Sequence, residues 1–277
     1  MEIITVGLPV YNAELFIKDT IQSILNQTYH NFKLLIVDDG STDKSIDIIN
    51  SFNDKRIEVI IDNKNLGLPY RLNQIAQLTK TKYLARMDAD DIMHPDRISR
   101  QLSVLENNHN IDVLGTNVLS IDENNIIQGI RFKQLDNELI ACKHFVHPTI
   151  MAKTTWFLSN PYDLKALRVE DTELWQRTHK LFNFKMIMQP LLFYREFGSS
   201  YYKKYFLGFP SMMYLVKKEK SFSKIVLAVK YFITGIVYFV FNIFDKEKIL
   251  IKKRNYMIME TSEYKEILES AIKLSNK

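Results

Sequence analysis

The chain of 277 residues has one cysteine, Cys142, so no internal disulfide and no cysteine-based metal site can form. That is compatible with a reducing cytoplasm. No G-x-G-x-x-G follows the first apolar run, which leads instead into Leu8-Pro9-Val10-Tyr11, and this fits a dinucleotide-dependent oxidoreductase badly. The N-terminus MEIITVGLPVYN has no basic leader followed by an apolar core, so no signal peptide is expected. Internal repeats and low-complexity stretches are missing too.

What is present is an ordinary globular composition, 46% hydrophobic and 25% charged, enough for one large domain or a domain with an appendage. The net charge of +5 is unevenly spread: residues 1–202 hold 22 basic against 25 acidic side chains, and residues 203–277 hold 15 against 7. Basic tails suit anionic surfaces, with a plain solvated face as the alternative.

The stretch Tyr83 to Arg97, YLARMDADDIMHPDR, organises the rest. It begins as a short buried strand, delivers Asp88, Asp90 and Asp91, and turns at His94-Pro95-Asp96 into a helix. Crowded carboxylates must bind a proton or a cation, and Mg²⁺ or Mn²⁺ prefers oxygen ligands. A metal–diphosphate site is one reading; an acidic helix N-terminus is the other.

Upstream, apolar runs at 3–9, 32–37 and 57–61 alternate with helical spacings, with Asn12 placed as the N-cap of the first helix. Strand–helix alternation up to Tyr83 predicts a parallel sheet covered on both faces, with ligands beyond the carboxyl ends of the strands. Asp38-Asp39 and Asp88-Asp90 lie at such ends. Beyond residue 97 a helix at 98–105, a hairpin around 123–125, a short helix over 136–145, a helix opening at Val169 and a last strand at 185–194 are expected.

Six motifs in order carry a resemblance: GLPVYNAE (7–14), SILNQTY (23–29), VDDGSTD (37–43), NLGL (65–68), MDADDIMHPDR (87–97) and EDTELW (170–175). Over residues 3–195 the chain resembles the family 2 glycosyltransferases of the GT-A fold, the bacterial surface-polysaccharide type. The resemblance implies an α/β fold with a mostly parallel sheet flanked by helices and a helical C-terminal appendage. It divides the chain into a nucleotide-binding part (1–97), an acceptor part (98–200) and a basic, apolar-centred tail (201–277).

By the same resemblance Pro9 and Tyr11 flank the nucleotide base, and Asp39 accepts its hydrogen bond, as a carboxylate can from uracil N3–H. Asp88, Ala89 and Asp90 correspond to the D-x-D that holds ribose, diphosphate and Mg²⁺ or Mn²⁺. Asp171 corresponds to the catalytic base, with Asp91, His147 and Glu170 as further donor or acceptor contacts. The implied activity is inverting transfer of a hexosyl or N-acetylhexosaminyl group from a nucleoside-diphosphate sugar, UDP-linked, to a glycan or lipid-linked acceptor. A retired nucleotide-sugar-binding or scaffold protein is the alternative.

Each residue keeps a bland reading: an Asx turn for Asp39, an N-cap for Asp171, a satisfied loop histidine for His147, core packing for Trp175 and Phe182. Two features depart from the family pattern. Arg71 precedes Leu72-Asn73, where an Arg-Asn pair is usual, and the Gln-x-x-Arg-Trp of processive synthases is missing, which favours a one-sugar transferase.

Residues 225–244, IVLAVKYFITGIVYFVFNIF, are long enough to span a bilayer, but Lys230 and Gly235 interrupt them and lysines flank both ends. A segment lying on an anionic cytoplasmic leaflet is expected, with a buried helix as the alternative. The enzyme is thus expected in the cytoplasm, peripheral to the inner face of the membrane. Nucleic acid is not expected as a partner.

Overall fold

The computed structural model describes residues 2–133, 135–196, 200–258 and 261–273. The expected nucleotide-binding part, acceptor part and tail each include some of the remaining positions, and there they lie outside the described residues.

Strand β1 (Ile4–Val10) is buried along its whole length, because helices cover both of its faces. It pairs in parallel with β2 (Phe32–Asp38) and with β4 (Tyr83–Arg86), and β2 pairs in parallel with β3 (Ile57–Ile60). On one face Ile4, Val6 and Leu8 pack with Ile17, Ile21 and Ile24 of α1 (Ile17–Leu25) and with Ile98, Leu102 and Leu105 of α4 (Arg97–Asn107). Each such side chain, fully buried, contributes roughly 1.5–3 kcal/mol. On the other face α3 (Leu68–Leu78) lies so close that a Cβ added at Gly7 would sit 2.4 Å from Ile75 Cγ2. A side chain there would push the helix off the strand. The connection between β2 and β3 is α2 (Ser45–Asn50).

Beyond β4 the sheet becomes mixed. Its order is β3-β2-β1-β4-β9-β6-β10-β5, where β5 is Ile92–Met93, β6 is Val113–Ile121, β9 is Met151–Lys153 and β10 is Phe184–Arg195. The hairpin around 123–125 is present as β6 with β7 (Ile127–Ile130). A 3-10 turn at His147–Thr149 leads into β9, which α5 (Thr154–Ser159) follows, and α6 spans Glu170–Thr178.

Two local expectations are corrected. Asn12 does not cap α1, whose N-cap position is Phe16 without a side-chain bond. Asn12 instead takes a left-handed backbone (φ 47°) and accepts the Thr42 N–H at 2.8 Å, tying the β1 loop to the β2 loop. Its short amide competes for loop backbone as readily as for a helix end. The segment 136–145 is not a helix: Leu139–Ala141 forms β8, antiparallel to β10. The open backbone of the β10 edge recruits it, and so few residues have too little helical nucleus to resist.

The tail is helical. Helices α7 (Tyr202–Glu219) and α8 (Phe222–Ile243) pack on each other, and Met212, Leu215 and Ala228 bury Ala166 and Val169 just ahead of α6. After α8 the chain returns to the sheet. Glu247, in α9 (Glu247–Lys252), accepts the Ser200 N–H at 2.7 Å, Tyr256 bridges Ile130, and α10 (Ser262–Ile272) packs on α1.

Candidate active site

The carboxyl ends of β1 and β2 form the first part. Asp38 Oδ2 accepts the N–H groups of Gly40 (2.9 Å) and Ser41 (3.0 Å), so the Asx turn belongs to Asp38 and not to Asp39. Gly40 holds a left-handed φ of +76°, and a Cβ there would meet the Lys64 backbone at 2.9 Å. Asp39 turns inward. It accepts the N–H of Leu66 at 2.7 Å and of Gly67 at 3.0 Å, and Nε of Arg71 at 2.8 Å.

Arg71 is fully buried and also binds Asp62 at 2.7 Å. Its hydrogen bond holds the Asp62 carboxyl down at about 2. Arg71, one position before the usual pair, is thus taken up by Asp39 and Asp62. Pro9, Tyr11, Asp39, Gly67, Arg168 and Glu170 line a cleft of about 430 Å³ here, with the Tyr11 ring 52% exposed.

The second part follows β4. Carboxylate oxygens of Asp88, Asp90 and Asp91 lie within 4.8 Å of one another. Helix α4 begins only at Arg97, after β5, so these three do not form its N-terminus and the capping alternative does not apply. Thr20 Oγ1 of α1 holds the loop by donating to the carbonyls of Ala89 (3.0 Å) and Asp91 (2.8 Å). Ala89 thus contributes backbone to the loop, and its side chain packs against the core.

Asp91 Oδ1 accepts the Arg195 N–H at 2.8 Å, whereas its buried Oδ2 has no partner among the described residues. Burial first, then Asp88, pushes Asp90 up to about 6. Burial first, then Asp90 and Asp88, pushes Asp91 well above the carboxylate range. Arg86 offsets part of this by pairing with Asp88 at 2.7 Å, and it is itself buried with Nε and Nη1 unpartnered among the described residues. Three crowded carboxylates, one of which has an oxygen unpartnered among the described residues, fit a hard divalent cation.

The third part is the start of α6. Asp171 is its second residue; the N-cap position is Val169, so Asp171 is not the cap. One of its oxygens, Oδ1, accepts the Thr172 N–H at 2.6 Å. Glu170 is buried, and burial followed by Asp171 pushes it up to about 7, with Oε2 unpartnered among the described residues. His147 pairs Nε2 with the Tyr162 hydroxyl at 2.8 Å, and burial, reinforced by Arg86, keeps it neutral. Asn73 of α3 bonds both backbone groups of Tyr162, which ties the first part of the chain to this wall. Trp175 is a core residue, 3% exposed against Phe145 and Phe184, with Phe182 at the cluster's edge.

Asp88, His147, Glu170 and Asp171 line a second cleft of about 760 Å³. The two clefts share Leu68, Arg168 and Glu170. Pro9, Tyr11 and Asp39 line the smaller cleft, Asp88 and Asp171 the larger, and Asp90 and Asp91 lie in the loop behind Asp88. Sequence reasoning missed Arg86, although an arginine inside the apolar strand YLAR was a usable signal. It also missed Arg195, and Arg131 and Arg254, which line the larger cleft and are joined by buried Glu196, a cluster for which no local signal exists.

Residues 5–165 match the family described as Glycosyl transferase family 2. An uncharacterized glycosyltransferase of Methanocaldococcus jannaschii is 31% identical over 264 residues, 90% of this chain and 91% of that one. An Escherichia coli protein named UDP-Glc:alpha-D-GlcNAc-diphosphoundecaprenol beta-1,3-glucosyltransferase is 31% identical over 180 residues, 62% of this chain and 68% of its own. The crystal structure of S. aureus TarS 1–349 in complex with UDP superimposes with a TM-score of 0.61 at 18% identity, covering 77% of this chain and 66% of that one. At that identity the likeness is one of fold.

Proposed function

The chain belongs to glycosyl transferase family 2, and from that premise we propose that it transfers one sugar, with inversion, from a UDP-sugar to a lipid- or glycan-linked acceptor in surface-polysaccharide synthesis. The observation that carries the reading is the junction of two clefts at Glu170, with Asp39 on one side and Asp88 and Asp171 on the other. The uridine lies against Tyr11 and Pro9, and its N3–H reaches Asp39 Oδ2, the oxygen that accepts only the Gly67 N–H. Arg71 and the two loop N–H groups fix that carboxylate beforehand, so binding spends little on ordering it.

Asp88, Asp90 and Asp91 would hold Mg²⁺ or Mn²⁺, which when bound neutralises charge on the departing diphosphate. Asp171 takes the acceptor hydroxyl proton through Oδ2, while the Thr172 N–H bonded to Oδ1 sets its orientation. Glu170 and neutral His147 contact sugar hydroxyls at the junction. A retired site is disfavoured, because the buried Asp91 Oδ2 and Glu170 Oε2 each cost roughly 1–3 kcal/mol unpaired.

Helix α8 supports a membrane-surface location. It is long and apolar enough to cross a bilayer, yet only 17% of its most apolar window is buried, which disfavours the buried-helix alternative. Both of its ends are tied to one folded body, through α7 before it and Glu247 and Tyr256 after it. A helix so tethered lies along the surface rather than across the bilayer. Exposed Lys217, Lys220, Lys246, Lys252 and Lys253 add roughly 1 kcal/mol each towards anionic lipid.

The direct test is Asp171→Asn assayed with UDP-sugars. The variant should bind UDP and Mn²⁺ normally, yet turn over at least ~10²-fold slower. Proton NMR of the wild-type product should report an inverted anomeric configuration. Near-normal turnover removes Asp171 from the mechanism, and a retained anomer removes single displacement.

A further inference from the structure

The larger cleft has a charge imbalance that the transfer chemistry does not use. Of its cations, Arg131 and Arg254 share the one carboxylate of Glu196, and Arg86 pairs with Asp88. Arg168, Lys203 and Lys204 have no carboxylate partner among the described residues. Like charges gathered on one concave wall disfavour one another unless an anion sits between them.

We propose that Lys203 and Lys204, with Arg168 at their edge, bind the diphosphate of a lipid-linked acceptor, whose chain leaves over Leu207 onto the exposed face of α8. This rests on the transferase reading above and names its acceptor class.

Three observations carry it. The first is proximity. A Cβ at Gly208 would lie 2.3 Å from the Tyr231 hydroxyl and 3.5 Å from Arg168 Cβ, and the Tyr231 hydroxyl donates to the Lys204 carbonyl at 3.2 Å. Arg168, Tyr231 and the first turn of α7 therefore close around one point of the wall. Lys204 stacks over the Tyr201 ring at 5.4 Å, and its ammonium is held up by Tyr201 first and also by the field of Asp171. The cations thus line the same cleft as Asp171, the base that the acceptor hydroxyl must face.

The second is the difference in partners within the cleft. Lys203 and Lys204 line the larger cleft and not the smaller one that holds the uridine; Asp88 lines the larger cleft too, and the divalent cation it would hold serves the UDP-sugar diphosphate without a lysine. A sugar–diphosphate–lipid diester carries two negative charges, which these cations match without a metal. The third is the exit. Leu207, 58% exposed, lines the cleft one turn beyond Lys203, and Tyr231 lines it beside Phe232, the start of an exposed run with Ile233, Ile236 and Val237. An apolar path that starts at a diphosphate-sized cationic pocket suits an isoprenoid chain better than a soluble polyanion.

The test uses farnesyl diphosphate, farnesol and inorganic pyrophosphate as probes. Each is titrated by calorimetry into the full chain with saturating UDP and no more Mg²⁺ than the UDP binds, so that the donor cleft is already filled and the probes stay free of metal. Farnesyl diphosphate should bind at least ~10-fold more tightly than either other probe. The double variant Lys203→Ala/Lys204→Ala should lose at least ~10-fold of that affinity, and Lys203→Arg/Lys204→Arg should keep most of it. A UDP titration of each variant reports whether the donor cleft is still folded. Unchanged farnesyl diphosphate binding by the alanine variant overturns the proposal. So does pyrophosphate binding as tightly as farnesyl diphosphate, which would mark a free-anion site. Failure of the wild-type chain to bind UDP would instead overturn the transferase reading.

Discussion

Replacing Glu170 by glutamine should stabilise the folded chain, and the gain should depend on pH in a defined direction. The side chain is 6% exposed, and its carboxyl is raised from 4.5 to about 7 by burial first and Asp171 second. Between these values the unfolded chain has released the proton and the folded chain has kept it. Folding then takes up a proton, so stability falls as pH rises through this window. Above it the full difference between the two values, at about 1.4 kcal/mol per tenfold change in proton affinity, counts against the fold by about 3 kcal/mol. Glutamine keeps the shape and hydrogen-bonding reach but carries no charge to bury. Urea unfolding in chelator, which keeps any bound cation out of the balance, should find Glu170→Gln more stable by about 3 kcal/mol at pH 8 and by less than about 1 kcal/mol at pH 5. Equal gains at both values, or a loss at pH 8, would refute the argument that Glu170 is buried at the expense of its charge.

Asp39→Ala should destabilise the chain by roughly 3 kcal/mol, because Arg71 is left buried beside two unpaired N–H groups, and calorimetry should show UDP binding at least ~10-fold weaker. Unchanged UDP affinity would reduce Asp39 to a loop brace. Asp90→Ala should remove one of three repelling carboxylates, raising the melting temperature in chelator while abolishing Mn²⁺ binding; retained Mn²⁺ affinity would take the cluster out of the metal site. Ile233→Glu/Val237→Glu should release the protein from phosphatidylglycerol vesicles in flotation, since it charges the exposed face of α8. Persistent flotation would mean that some other surface makes the contact.

The first four strands were legible because both faces of the parallel sheet are covered, so each reads as an unbroken apolar run ending where a ligand can approach. The acidic ends at Asp38-Asp39 and Asp88-Asp91 were legible for the same reason. Strands β5, β8 and β9 were harder, since two or three residues carry no periodicity and are recruited by the edges of β10, β6 and β4. The direction of Asp39 was not legible either. A carboxylate in a Gly-Ser turn reads as a turn former, and only the fold shows that Asp38 fills that role and frees Asp39 to brace Arg71. Charge counting overstated the free cations of the tail. Lys218 is held by Asp163 and Glu173, Lys224 by Glu219 and Lys248 by Glu123, partners that the bare sequence cannot assign. The cluster at Glu196 joins residues 131, 196 and 254, and such separations leave no local trace.

One chain that handles two diphosphates has to keep them apart. The electrostatics of the joined clefts supply a way. The donor end presents Asp88, Asp90 and Asp91, so a bare diphosphate is repelled there and one that arrives with a divalent cation is attracted. The other side of the cleft presents Lys203 and Lys204, where a metal-bound diphosphate loses most of its charge advantage and a bare one keeps it. Asp171 lines the same cleft, and the sugar and the attacking hydroxyl must meet at its carboxylate. Exchange of the two substrates would set a bare diphosphate against the carboxylates and a metal-neutralised one against the lysines, so the proposed charge order favours one assignment of donor and acceptor.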